Sequence, residues 1–383
     1  MRAIVSGYYG FGNAGDEAVL AGIVAGMRRA AGDAEPQSAH RPQAAHRPQA
    51  AHRLTVISGD PPATARAHGV RAIGRFDVRA LRRELGGAHL FISGGGNLFQ
   101  DSTSARSCLY YLAVLDQALK ADVPVMVLGQ GIGPLRRRWL RALARHFLNR
   151  AHGIALRDTT SARELERIGV NRPPVRVGAD LSFAMDMPDA QQVAQAWRDI
   201  GVRQDEQVLA VAPRAWRVRG GESALVRLAS VIKQALGRLN PPPRIVVFPL
   251  QRPRDDDACA ALAHAVGGLL AQRELPPALL AGMIGAARAV VGMRLHALIF
   301  AAMGGAVPVA VSYDPKVEAF MADIGRGTAA TIADLDEGRL ASAIVEAWEA
   351  DDAARAALRR AADERRRTVA DTLAWAVEIV RRN

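Results

Sequence analysis

An α/β protein of two halves, each a mainly parallel sheet covered by helices, is the fold class that the sequence predicts. Three observations predict it. Short apolar runs of strand length alternate with helix-length stretches along most of the chain. Many of those runs end in glycine or a polar residue, as in Ser93-Gly94-Gly95-Gly96 and Gly129-Gln130-Gly131, at the edge where α/β sheets carry their sites. The alternation breaks at Asp186-Met187-Pro188-Asp189 and then starts again. This gives two Rossmann-like domains, residues 1–186 and 187–383, expected to face across a cleft.

The first series begins with a strand over Arg2–Ser6 and a helix over Gly15–Ala30. Strands follow at Leu54–Ile57 and His89–Ser93, then a helix over Ser104–Ala121. A strand over Pro124–Leu128, a basic helix over Arg136–Arg150 and strands at Gly153–Leu156 and Val175–Val177 complete it. The second series has helices over Ala190–Asp199 and Glu222–Leu239, with strands at Gln207–Ala212 and Arg244–Phe248. Two further strand–helix units follow, built on Ala289-Val290-Val291 and on Val307–Val311, and helices from about Glu337 to Arg382 close the chain. Residues 39–53 stand outside the scheme: AHRPQA-AHRPQA-AHR is a tandem hexapeptide with little to bury. Its His40, His46 and His52 could suggest a metal tract, but a surface insertion is the simpler reading.

Composition narrows the function. The chain has 383 residues, 49% hydrophobic and 23% charged, as expected of a globular protein with a sizeable core. Cys108 and Cys259 lie too far apart in sequence for a disulfide framework or a metal cluster. The expectation is therefore a reducing, cytoplasmic compartment and no metal or cofactor. No apolar run reaches the ~20 residues that span a bilayer. A net charge of +12 points to anionic partners. Nucleic acid is not expected, since aromatics are 5% and no recognition motif is present.

Two glycine loops in the first half are candidate sites. Gly10-Phe11-Gly12-Asn13-Ala14-Gly15 follows a strand and opens a helix, with Asp16 at the helix start. It matches a dinucleotide fingerprint by letter only, because the hexapeptide displaces the acidic residue that the motif needs. The second loop, Ser93 to Ser107, supplies Gly95, Gly96, Asn97, Asp101 and Arg106. Asp101 is suited to accept a proton from a hydroxyl, or else to cap the next helix. Asp158 has the same two readings, and Thr159-Thr160-Ser161 after it favours the cap.

The second half carries the stronger constellation. Arg294 and His296 fall in the first turn of a helix, and Lys316 in the first turn of the next, with Asp314 as its N-cap and Pro315 at N1. Cations there oppose the helix dipole, which a bound anion would justify. Consecutive strands tend to be neighbours, so the two turns should lie side by side. Arg214 and Gln251 end two further strands. Lys316 stands out because Lys120 and Lys233 are the only other lysines in an arginine-rich chain. Alone, His296 would read as a packed structural histidine.

The stretches GYYGFGNAGDEAVL, SGGGNLFQDSTSARSCLYYL, GQGIGP, LRD, GADLSF, RLHALIFA and SYDPKVEAF, in this order, resemble polysaccharide pyruvyl transferases, most closely the CsaB type. The resemblance implies a GT-B-like fold and transfer of pyruvate from phosphoenolpyruvate, a co-substrate, onto a sugar as a ketal. It implies an N-acetylmannosamine-containing, lipid-linked precursor of a cell-wall polymer as acceptor, and hence peripheral placement at the inner face of the plasma membrane. The finished polymer in the similar proteins anchors S-layer-homology proteins. Carried onto matching positions, His296 is the acid/base; for the chemistry so implied, a carboxylate such as Asp101 or Asp158 could take the hydroxyl protons. Arg294 and Lys316, with Arg214 and Gln251, would hold the donor. Acceptor contacts would fall to Gly12, Asn13, Asp16, Gly95, Gly96, Asn97 and Arg106. A glycosyltransferase of the same architecture using a nucleotide sugar is the alternative.

Overall fold

The computed structural model describes residues 1–32, 53–102, 104–215, 224–272 and 274–382. The tandem hexapeptide, but for its last residue, lies outside the described residues.

The first series runs β1 (Arg2–Ser6), α1 (Ala14–Ala30), β2 (Arg53–Ser58), α2 (Pro61–His68), β3 (Arg71–Gly74) and α3 (Val78–Leu85). It continues with β4 (Leu90–Gly94), α4 (Ala105–Lys120), β5 (Val125–Gln130), α5 (Arg138–Leu148), β6 (Gly153–Leu156), α6 (Thr159–Arg167) and β7 (Val175–Val177). A 3-10 turn at Leu181–Ala184 precedes the second series: α7 (Ala190–Asp199), β8 (Val208–Ala212), α8 (Ala224–Leu236), β9 (Arg244–Val247), α9 (Asp256–Val266) and β10 (Leu269–Leu270). Then come α10 (Pro277–Ala286), β11 (Ala289–Gly292), α11 (Leu295–Gly304), β12 (Val307–Ser312), α12 (Pro315–Asp323), β13 (Ala330–Thr331), α13 (Glu337–Glu349) and α14 (Asp352–Arg382).

The strands form two sheets with parallel pairing throughout. One has the order β3-β2-β1-β4-β5-β6-β7 and the other β10-β9-β8-β11-β12-β13. Both contain the doubly wound order, in which the chain moves one way from the first strand and the opposite way from the fourth. Connections leaving β1 and β4, and likewise β8 and β11, therefore diverge. A crevice opens between them at the carboxyl edge of each sheet.

The strands form where they do because parallel strands covered on both faces must be apolar along their length. β4, β5, β8, β11 and β12 are buried at every residue. Pro308 sits inside β12 without breaking it. Val307 donates its amide to Arg288 O on the β11 side, so position 308 points to the β13 side. There β13 pairs only with Val311 and Ser312, and no amide is required. On one face of the first sheet, a single core joins Leu81 and Leu85 of α3, Leu112 and Leu115 of α4, Leu140 and Leu148 of α5 and Leu165 of α6.

Two compact units emerge. The first comprises Met1–Phe11, Asp16–Met185 and Arg365–Asn383; the second comprises Gly12–Gly15 and Asp186–Glu364. The break after Met185 falls where the alternation stops. Two segments depart from the division at residue 186. Residues 365 onward group with the first unit: Arg366 donates to Phe183 O, and a Cβ on Gly153 would meet Trp375. Residues 12–15 group with the second, for reasons that lie in its site.

Candidate functional site

In the second unit the site residues end four neighbouring strands. Gln251 follows β9, Arg214 follows β8, Arg294 and His296 follow β11, and Lys316 follows β12. The crevice between β8 and β11 thus lies between Arg214 and His296, and the turns after β11 and β12 are side by side.

Each position has a local cause. Asp314 caps α12, its carboxylate accepting from the Lys316 amide at 3.1 Å, with Pro315 in the first turn. The Lys316 ammonium lies 3.2 Å from Asp314 Oδ2 and 5.6 Å from the centre of the Tyr313 ring. The Arg214 guanidinium rests against the same ring at 4.5 Å, and its amide donates to Met293 Sδ at 3.4 Å. Two cations are thereby held beside one aromatic ring, each partly exposed and able to meet an anion.

Arg294 is placed differently from expectation. It is the N-cap residue of α11 and makes no side-chain cap. Its guanidinium instead grips Asp255 with both Nε and Nη2, the former at 3.0 Å. Asp255 is fully buried and also accepts from the Gln251 amide at 3.0 Å. A bidentate pair of this kind is structural first, because a buried carboxylate must keep its partner. Gln251 contributes its main chain to the same knot. Asp255 was missed in the sequence; the run Asp255-Asp256-Asp257 at the start of α9 was its available signal.

His296 is the second residue of α11. Its ring is 6.0 Å from that of Phe300 and lies directly over Gly15. A Cβ on Gly15 would stand 2.1 Å from Nδ1, so no larger residue fits. Gly15 is carried there by short pairing of residues 12–14 with residues 250–252. Ala14 N donates to Leu250 O, Arg252 N donates to Gly12 O, both at 2.8 Å, and Asn13 bridges Gln251. Gly12 and Asn13, expected among the acceptor contacts, are thus built into the second unit beside His296. A Cβ on Gly12 would meet Arg252 O at 2.4 Å.

The first unit places its candidates around the divergence of β1 and β4. Tyr9 donates its hydroxyl to Gly94 O at 2.6 Å. Burial, reinforced by the charges of Asp16 and Glu17, pushes the Tyr9 hydroxyl well above its ordinary range and keeps it a neutral donor. Asp16 is buried, with Oδ1 3.2 Å from where a Gly96 Cβ would lie. Gly95 has φ +67, and a Cβ there would collide with Val19. Asn97 donates from Nδ2 to Gly133 O at 3.0 Å, and its buried Oδ1 has no hydrogen-bond partner among the described residues. Arg106 is exposed in the first turn of α4. Glu17, which accepts from Gly10 N and pairs with buried His68 at 2.8 Å, was not anticipated, because α2 carries no clear periodicity.

Both carboxylates expected to act as bases are committed elsewhere. Asp101 accepts from the amides of Arg136 at 2.9 Å and Arg137 at 2.8 Å, one on each oxygen. Burial alone would raise its pKa; the two amides and the neighbouring arginines outweigh this and hold it below the ordinary carboxylate value. Asp158 caps α6 through the Ser161 amide at 2.7 Å and faces Arg157 at 3.6 Å. Each carboxylate is thus already engaged by main-chain amides. Among the described residues, no group of three His, Cys, Asp or Glu could hold a metal ion.

The chain matches solved structures along its whole length at low identity. HepE of Anabaena in complex with UDP and glucose has a TM-score of 0.61 and 11% identity, covering 99% of this chain and 98% of that one. The UDP-GlcNAc 2-epimerase of Neisseria meningitidis has a TM-score of 0.60 and 11% identity, covering 100% of both. That of Methanocaldococcus jannaschii has a TM-score of 0.60 and 11% identity, covering 92% and 94%. Likeness at this identity concerns the fold alone, which is GT-B-like. Residues 13–315 match the family described as polysaccharide pyruvyl transferase, a span that begins at Asn13 inside the first glycine loop, takes in the second loop, Arg214 and His296, and ends at Pro315, one residue before Lys316. This chain belongs to the polysaccharide pyruvyl transferase family.

Proposed function

We propose that the protein transfers pyruvate from phosphoenolpyruvate onto two hydroxyls of one sugar as a ketal, in the manner of the CsaB type. The acceptor in this reading is an N-acetylmannosamine-containing, lipid-linked precursor of a cell-wall polymer. The observation that carries the proposal is the row of groups at the carboxyl edge of β8, β11 and β12: Arg214, His296 and Lys316. Phosphoenolpyruvate bears a phosphate and a carboxylate, and a site for it needs fixed cations. Arg214 and Lys316, held at the Tyr313 ring, serve that purpose; Arg294, taken up by Asp255, fixes the turn after β11 instead.

In the first step, protonated His296 gives its proton to the methylene carbon, and the adjacent carbon becomes electrophilic. A sugar hydroxyl adds there and loses its proton. Phosphate then leaves with the bonding electrons of its C–O bond, and the second hydroxyl adds to close the ring. Of the two hydroxyl protons, one replaces that spent on the methyl group and the other leaves with phosphate. Since Asp101 and Asp158 are engaged by amides, neutral His296 is assigned the task of taking the first hydroxyl proton back. The donor belongs to the strand ends of the second unit, and the acceptor to Gly95, Gly96, Asn97 and Asp16 of the first.

The test is incubation with phosphoenolpyruvate and an N-acetylmannosaminyl acceptor. Phosphate release with the mass gain of a pyruvyl ketal is expected, and His296→Ala should abolish both. A hexose-sized gain with a nucleotide sugar would establish the glycosyltransferase alternative, and absence of either product would overturn catalysis of both kinds.

A further inference from the structure

Four large hydrophobic side chains of the first unit stand in solvent at the same ends of three consecutive helices. Phe76, 75% exposed, and Val78, 49% exposed, lie at the start of α3. Leu109, 42% exposed, is in the second turn of α4, and Trp139, 52% exposed, is in the first turn of α5. Among the described residues only Val175, Val177 and Val226 are large hydrophobics of comparable exposure. Exposed apolar residues scattered singly mean little; a row of them on one edge does not arise by default.

The three helix starts are tied together. Tyr110 of α4 donates its hydroxyl to Arg75 O at 2.9 Å, and its ring meets Phe76 edge-on at 5.6 Å. The Arg75 guanidinium lies 4.3 Å from the centre of the Tyr110 ring and 4.8 Å from that of Phe76. On the other side of α4, Asp101 binds the amides of Arg136 and Arg137, which fixes the start of α5 beside the start of α4. The core shared by α3, α4 and α5 places all three on one face of the sheet. The result is one rim at the carboxyl edge of β3, β4 and β5.

That rim is strongly basic. Arg79, Arg106, Arg136, Arg137 and Arg138 are exposed along it, with Arg75 partly so. The acids are Asp77, which caps α3, and Asp101, which is buried. Helix α5 itself has no acidic residue. Arg79, Arg106 and Arg138 stand in first turns, where a cation opposes the helix dipole, so helix stability does not account for these three; Arg137 is tied to Asp101 and Arg75 to the aromatic rings. Nucleic acid would also suit the arginines. Val78 and Leu109, however, offer no face for base stacking, whereas aliphatic and aromatic side chains among arginines suit the headgroup boundary of a bilayer.

We infer that this rim, formed by the starts of α3, α4 and α5, docks on an anionic phospholipid surface, with Phe76, Val78, Leu109 and Trp139 entering the headgroup region. The inference rests on the proposed reading for its purpose, since a lipid-linked acceptor is met at a membrane. Its evidence is independent of that reading.

The test is sedimentation of the intact protein, without substrates, with vesicles of phosphatidylcholine alone or with about one third phosphatidylglycerol. Binding to the anionic vesicles that weakens with salt is expected. Phe76→Ser combined with Trp139→Ser should lower the partition coefficient about tenfold or more, and Arg138→Glu should do likewise. Arg138→Glu puts an acid where the helix dipole favours one, so lost binding there is not lost folding; circular dichroism checks the serine pair. Turnover on a water-soluble acceptor should be unchanged in both variants. No sedimentation with anionic vesicles, equal sedimentation of the variants, or retention by RNA in place of vesicles would overturn the inference. Vesicle binding without pyruvyl transfer would sustain it and defeat the proposed reaction instead.

Discussion

Gly15 leaves the face of its Cα open to the imidazole of His296, and a methyl group there would stand 2.1 Å from Nδ1. The contact sets Gly15, the second residue of α1, against the second residue of the helix that follows β11. It gives Gly15 a reason that has nothing to do with turn geometry, since its backbone is not in the left-handed region. Gly15→Ala must push the imidazole out of place. A displacement of about 1 Å can cost roughly a hundredfold in rate, so kcat should fall by about that factor while the donor KM stays within a few-fold. Steady-state kinetics with phosphoenolpyruvate decides it; an alanine variant with undiminished kcat would remove His296 from the chemistry or show that its ring tolerates the shift.

Arg294 and Asp255 predict a loss of stability rather than of affinity. Removing the guanidinium strands a carboxylate with no exposure to solvent. Breaking one side of a buried pair costs about 3–5 kcal/mol. Arg294→Ala should therefore lower the Tm sharply, and adding Asp255→Ala should recover part of the loss. If Arg294→Ala keeps the parent Tm and raises only the donor KM, the arginine belongs to the donor site after all.

Asp101 predicts a pH-dependent stability. Its carboxylate is held below the ordinary value by two amides and nearby arginines, despite burial. A group whose folded pKa is depressed contributes fully above its unfolded pKa, near 4, and loses that contribution as pH falls through the folded value. Asp101→Asn should cost about 2 kcal/mol at neutral pH, with the gap to the parent closing in acid. Urea unfolding at pH 7 and at about pH 3 measures it; a gap that does not narrow in acid would refute the account.

How much of this was legible in the sequence follows from where the determining partner lies. β4, β5, β8, β11 and β12 were readable because each is an unbroken apolar run, a property of the run itself. The cap at Asp314 was readable because its partner, the Lys316 amide, is two residues away. Asp101 and Arg294 looked like site residues because their partners lie 35 and 39 residues distant, beyond any local pattern. Strand β3 escaped notice because it is four residues long with one buried position, and α3, though amphipathic, because eight residues are too few turns for its period to stand out. The grouping of residues 365 onward with the first unit could not be read from α14, whose helical pattern runs unbroken across the change.

Lys316 offers the prediction that separates charge from shape. Its ammonium is 3.2 Å from Asp314 Oδ2 and beside the Tyr313 ring, which already holds the Arg214 guanidinium at 4.5 Å. An ammonium is a compact charge with three rotatable donors, and it can face Asp314 and still donate to an anion. A guanidinium at this position has a planar fork that matches the Asp314 carboxylate, and a bidentate pair would draw the charge away from the donor. It would also crowd the Tyr313 ring that Arg214 already meets. Lys316→Arg should therefore raise the KM for phosphoenolpyruvate about tenfold, which is some 1.4 kcal/mol of binding, with a smaller effect on kcat. Lys316→Ala should be worse in both. The added substitution Asp314→Asn should restore much of the loss in the arginine variant, because it removes the competing carboxylate while the side-chain oxygen still accepts from the Lys316 position's amide. Full activity in Lys316→Arg would show that the position asks only for positive charge, and failure of Asp314→Asn to relieve the defect would show that shape at the Tyr313 ring, not the carboxylate, sets the requirement.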